Sequence, residues 1–177
     1  MAISTFQGPV RSLNGFISQG PGMALSVSGS LTLDPATHGG RTIFYSGTSG
    51  TITLPAVNAS DDPVHTGPGS DPNNSNNEGV AYTIFVSQAT TGTLKIRTTS
   101  SNPGDLFVGG LVMALAGGAS NLYVPNGSSN DVINLNGTTT GGIAGSYLTI
   151  TAIHANRYLV QGVLIGSGSL ATPFADA

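Results

Sequence analysis

YLTITAIHANRYLVQGVLI, residues 147–165, is the stretch whose reading decides the fold. It holds two runs rich in β-branched and aromatic residues, 147–153 and 157–165. In the first, Leu148, Ile150 and Ala152 alternate with Tyr147, Thr149 and Thr151. That period of two marks a strand with one face on a core. His154-Ala155-Asn156 lies between the runs, and asparagine tolerates the left-handed backbone a tight turn often needs. The pattern predicts an antiparallel hairpin with a mostly apolar face turned inward. Gly166-Ser167-Gly168 then leads into an ending with one large apolar residue, Phe174.

Working outward, the same signal recurs in short pieces. Residues 23–33 alternate through Leu25, Val27, Leu31 and Leu33, and residues 42–45 and 51–54 follow as strands, the second ended by Pro55. Residues 80–87 place Val80, Tyr82, Ile84 and Val86 on one face. Residues 93–99 place Lys95 and Arg97 opposite Leu94 and Ile96, the pattern of a strand with a solvent-facing side. Residues 106–115 read as a buried strand or two, bent at Gly109-Gly110. Residues 121–125 and 131–135 flank Asn126-Gly127, a hairpin-type turn signal. No stretch carries a helical stripe. About ten short strands separated by Gly, Pro and Asn turns predict an all-β domain, an antiparallel β-sandwich or barrel-like, jelly-roll-type fold.

Two regions depart from this spacing. Residues 1–22 are broken by Pro9, Pro21 and several glycines, yet carry Phe6, Val10, Leu13, Phe16 and Ile17. They read as an extended N-terminal arm that packs on its own domain or on a neighbour. Residues 56–79 form a long polar insertion with Asp61, Asp62, His65, Asp71 and Glu78. Their spacing does not match a calcium loop, and a solvated insertion is the expectation. The expected organisation is thus an arm over 1–22, a β domain over 23–168 containing the 56–79 insertion, and a short C-terminal tail over 169–177.

Composition narrows the function. Only 7% of the 177 residues are charged, and the net charge is −3. That gives no basic patch for nucleic acid and little charge repulsion to keep copies apart. There is no cysteine, so the fold does not depend on disulfides. No basic segment followed by an apolar one opens the chain, so no secretory leader is expected. The longest apolar run, residues 106–119, is interrupted by glycine and falls short of the ~20 residues of a membrane helix.

Catalytic and cofactor signatures are missing. His38, His65 and His154 stand apart, without the paired spacing of a zinc site. No nucleophile elbow, phosphate loop or dinucleotide fingerprint occurs. Asp105 and Asp131 lie near strand ends beside turn residues and read as turn formers rather than a catalytic pair. The expectation is a protein that is not an enzyme, with no catalytic, cofactor or metal residues. Two classes remain: a structural protein that coats a surface, and a fibre tip or receptor- or glycan-binding module. An aromatic content of 6% without tryptophan weighs against the second.

The segments TITLPA (residues 51–56), AYTIFV (81–86), TLKIRT (93–98), LNGTTTGGIAGSYLTITAI (135–153) and RYLVQGVLIGSGSLATPF (157–174), in that order, resemble small structural proteins of tailed bacteriophages. In particular they resemble capsid decoration, or cement, proteins. The most specific parts are Asn-Gly-Thr-Thr-Thr-Gly-Gly and the Gly-Ser-Gly-x-Leu-Ala-Thr-Pro-Phe ending; the 56–79 insertion departs from the pattern. The resemblance implies a virion protein on the outer capsid surface, often a homotrimer at three-fold positions, that bridges subunits of the major capsid protein. It carries over no catalytic motif. The apolar ends then become the expected contacts with capsid or sister subunits: Phe6, Pro9, Val10, Arg11, Leu13 and Phe16 at one end, Leu170, Pro173 and Phe174 at the other. A fully buried Phe or Val there would contribute ~1.5–3 kcal/mol, and Arg11 would pair with a carboxylate.

Overall fold

A computed structural model describes residues 21–57, 77–99, 104–115, 118–154 and 156–177. The all-β expectation holds: among the described residues twelve strands form two sheets around one apolar core. In chain order the strands are β1 Ala24–Val27, β2 Leu31–Thr32, β3 Thr42–Tyr45, β4 Gly50–Thr53, β5 Ala81–Val86, β6 Leu94–Arg97, β7 Leu106–Leu115, β8 Ser120–Tyr123, β9 Val132–Leu135, β10 Tyr147–His154, β11 Arg157–Gly166 and β12 Phe174–Ala175. A single helical turn, α1 Pro35–His38, separates β2 from β3. Asp34 caps it, its carboxylate accepting from the N–H groups of Ala36 and Thr37 at 2.8 and 3.0 Å. A hydrogen bond from the Thr37 hydroxyl, with these two backbone bonds, holds the Asp34 carboxyl below its ordinary pKa of 3.8.

The hairpin lies at the centre. The seven-stranded sheet runs β1-β3-β5-β10-β11-β7-β8, and the five-stranded sheet runs β12-β9-β6-β4-β2. β10 and β11 pair antiparallel, and Asn156 closes their turn at φ 60°. Gly162 is required there by close approach. A Cβ on it would lie 2.3 Å from the Tyr147 carbonyl oxygen across the ladder.

The sheets are mixed rather than purely antiparallel. β1, β3 and β5 are parallel neighbours in one sheet, and β2, β4 and β6 are parallel neighbours in the other. The first half of the chain alternates between sheets, laying one strand in each on every circuit. A parallel pair needs a crossover between its strands, and here each crossover carries a strand of the opposite sheet. From β7 onward, β8, β9, β10 and β12 join by antiparallel pairing, while β11 lies parallel to β7. The residues around Asn126-Gly127 are correspondingly not a hairpin, because β8 and β9 belong to different sheets. The Asn126 side chain instead accepts from the N–H groups of Ser128, Ser129 and Asn130, which turns the chain from one sheet to the other.

The core fills the space between the sheets. Tyr82, Ile84 and Val86 of β5, Leu148 and Ile150 of β10, and Val160 and Leu164 of β11 meet Ile52, Leu94, Ile96, Ile133 and Leu135 of the smaller sheet, all fully buried. The feet of the 56–79 insertion are pinned to this body. The Val57 N–H donates to Asp105 Oδ2 at 2.8 Å, and Asn77 Nδ2 donates to the Ala56 carbonyl at 2.8 Å. Tyr158, buried in the core, donates its hydroxyl to the Pro55 carbonyl at 2.7 Å. Asp105 is therefore more than a turn former. It is a buried carboxylate, and burial raises its pKa above 3.8 against the lowering effect of the Val57 N–H. The remainder of the insertion, with Asp61, Asp62, His65 and Asp71, lies outside the described residues.

Candidate interaction surfaces

The two sheets turn different faces to solvent. On the seven-stranded sheet, the ladder register aligns Phe44 with Phe85, Phe85 with Tyr147, Tyr147 with Val163, Val163 with Val112, and Val112 with Leu122. One apolar side chain per strand thus forms a transverse row from β3 to β8, roughly 24 Å long at the usual strand spacing. Phe44, Val112, Tyr147 and Leu122 are 37, 39, 45 and 66% exposed. Phe44 and Phe85 meet edge to face, centroids 5.5 Å apart, an arrangement worth about 0.5–1.5 kcal/mol beyond burial.

Beside this row runs a polar one. Thr42, Thr83, Thr149 and Gln161 are aligned across the same strands, and the Thr83 and Thr149 hydroxyls are 3.1 Å apart. Where the rows meet, Tyr147, Thr149, Gln161, Gly162 and Val163 line an open depression of ≈300 Å³. Across the seven strands Arg157, at the start of β11, is the single Asp, Glu, Lys or Arg. The five-stranded sheet instead presents Lys95 between Thr51 and Asn134, and Arg97 beside Thr53. Lys95 is exposed, as its alternation with buried Leu94 and Ile96 predicts.

The expected contact residues at the two ends are placed differently. Phe6, Pro9, Val10, Arg11, Leu13 and Phe16 lie outside the described residues. The C-terminal set does not form a loose tail. Phe174 pairs with Ile133 in the five-stranded sheet and is 6% exposed within the core. Pro173 is buried, its carbonyl accepting from Asn134 N–H at 2.8 Å, and Leu170 packs against the core. A residue this deep in its own domain is not presented to a neighbour.

The two most specific stretches of the resemblance meet each other. Asn136 Oδ1 gathers the N–H groups of Thr138 and Thr140 at 2.9 and 3.0 Å. The carbonyls of Thr138 and Thr139 then accept from Ser167 and Ala171 N–H, both at 2.9 Å. Gly137, at φ +74°, has no room for a Cβ, which would fall 1.7 Å from the Thr90 carbonyl oxygen. Both motifs therefore fasten the last segment to the body of the domain.

Among the described residues, no three His, Asp or Glu side chains gather where they could hold a metal ion. Comparison of the chain with protein-family models, curated proteins and solved structures found no match. The sequence reading did not single out the Tyr147 row. Its signal lay in β7 and β11, whose runs LFVGGLVMAL and YLVQGVLI are apolar at both strand parities. Such runs belong to strands covered on both faces.

Proposed function

We propose that this protein is a structural component of a phage virion. It decorates the outer capsid surface as a homotrimer and bridges neighbouring subunits of the major capsid protein, stabilising the shell. The observation that carries this reading is the apolar row, with Phe44, Val112, Tyr147 and Leu122 exposed among the described residues, on a sheet with almost no charge, the mark of an interaction surface. The resemblance in residues 51–174 supports the shell as its setting. A β-sandwich cross-linked by its own ladders supplies a stiff body. The apolar residues of 1–20 supply further contact area, and several weak contacts per assembly add to a durable one.

The test is co-sedimentation of the purified chain with undecorated phage shells, with the heat resistance of the shells as second readout. Binding that raises the shell's disruption temperature is expected. Removing residues 1–17 should abolish shell binding while leaving the β domain folded. Unchanged occupancy would remove the arm from the account, and no binding by the intact chain would overturn the reading.

The alternative is a fibre or receptor module that binds glycans. The depression at Tyr147 favours it, because an aromatic ring beside the Thr149 hydroxyl and the Gln161 amide matches what a sugar ring offers. Binding on a glycan array, lost in Tyr147→Ala, would favour this second reading over the first.

A further inference from the structure

We infer that the outer face of the seven-stranded sheet is where copies of this chain associate, the aromatic half of one face seated on the aliphatic half of another. This names a contact between the copies of the proposed assembly and rests on that reading for the number of copies beyond two, though not for the face itself.

The row is divided by the centre of the hairpin. Phe44, Phe85 and Tyr147 lie on the β3, β5 and β10 side, and Val163, Val112 and Leu122 on the β11, β7 and β8 side. A second copy turned end for end across the row sets large rings over smaller aliphatic groups along its whole length.

Charge permits this occupant. A face carrying several charges of one sign would repel its own copy, whereas the strands of this sheet hold no Asp, Glu or Lys and one Arg, Arg157, beside His154 at one end of the hairpin. The area fits as well. The strands run from four residues in β1, β3 and β8 to ten in β7 and β11, and at the usual rise and spacing the seven together give a face on the order of 700 Å². That is about what each partner buries in a standard stable protein interface. In β7 the outward Leu106, Val108, Val112 and Ala114 are as apolar as the inward residues, and β11 adds Leu159, Val163 and Ile165 beside Gln161 and Arg157.

Light scattering on the purified full chain, with no shells present, tests this directly. A mass of at least two chains of 17.7 kDa is expected at micromolar concentration. The variant carrying Tyr147→Lys and Val112→Lys should fall to the single-chain mass, while Lys95→Glu on the other sheet leaves the assembly intact. A double cysteine variant, Phe44→Cys with Leu122→Cys, guards against misfolding of the lysine variant. The native chain has no cysteine. Within one copy the two positions are roughly 24 Å apart, too far for a disulfide. Oxidation should therefore link separate copies.

A wild-type chain that stays monomeric overturns the inference, as does an assembly whose mass the lysines leave unchanged. Monomers whose shell binding is lost in the lysine variant would assign the face to the shell. That outcome overturns this inference while leaving the proposed function standing.

Discussion

The outer faces of the two sheets are built by the same alternation and end with opposite chemistry. In the five-stranded sheet the inward Leu94 and Ile96 alternate with Lys95 and Arg97, and the strand ends its contacts at water. In the seven-stranded sheet the inward Leu164 and Val160 alternate with Val163, Gln161 and Leu159, and the outward side is nearly as apolar as the inward. Alternation tells which side of a strand faces its own core. The outward residues tell what the strand meets next. Reading only the first makes both sheets alike and hides the apolar outer face of the larger one.

Substitutions can break or sharpen this contrast. The largest effect is expected where the sheets are equivalent, on their inner faces. Ile150→Ala in one and Ile96→Ala in the other should each lower unfolding free energy by about 3–4 kcal/mol in urea titrations. Markedly unequal losses would mean that the sheets do not share one core.

Next comes Gly162→Ala, on the hairpin that joins the two halves of the apolar row. Its methyl would meet backbone, which cannot rotate aside, and a loss of about 2–3 kcal/mol is expected. A neutral result would show that the β10–β11 spacing is wrong.

Asp105 adds a pH test at the foot of the insertion. Its folded pKa lies above the unfolded 3.8 because burial disfavours the carboxylate. The ionised form is therefore the one folding disfavours. Stability from this group is fully kept below pH 3.8 and declines as pH rises through the folded pKa. Asp105→Asn keeps an oxygen for the Val57 N–H and cannot titrate. Its stability relative to the parent should be constant below pH 3.8 and grow with rising pH above it; the opposite slope would exclude burial as the controlling effect. The smallest effect belongs to the polar face, where Lys95→Gln should shift stability by no more than about 0.5 kcal/mol.

What could be read from the chain divides along physical lines. The hairpin was legible because its determinants are local: the two-residue period and a residue able to hold positive φ at Asn156. The parallel pairing of β1, β3 and β5 was not, because a parallel strand and an antiparallel one bury alternate side chains in the same way. Only the crossovers separate them, and these look like ordinary turns. Asn126-Gly127 misled for a related reason: its side-chain bonds turn the chain equally well toward the same sheet or the opposite one. Phe174 follows Leu170 and Pro173 in an ending with no alternation, and a two-residue strand is too short to show a period. Asp105 follows Pro103 and Gly104, and nothing in that run reveals that the amide it accepts from is Val57. The apolar row was half visible in β7 and β11, but its continuity depends on register across six strands, which one sequence does not contain.

The clamped feet of the polar insertion have a practical consequence. Ala56 and Asn77 are held together by a part-buried hydrogen bond, and Val57 is fixed by a carboxylate from another strand connection. The segment between them leaves and re-enters at a gate whose geometry belongs to the scaffold. Doubling the length of a flexible segment bridging such a gate costs only about 0.6 kcal/mol. Foreign peptides spliced between these two posts should therefore be carried by the domain with little change in melting temperature, making this a natural port for displaying cargo.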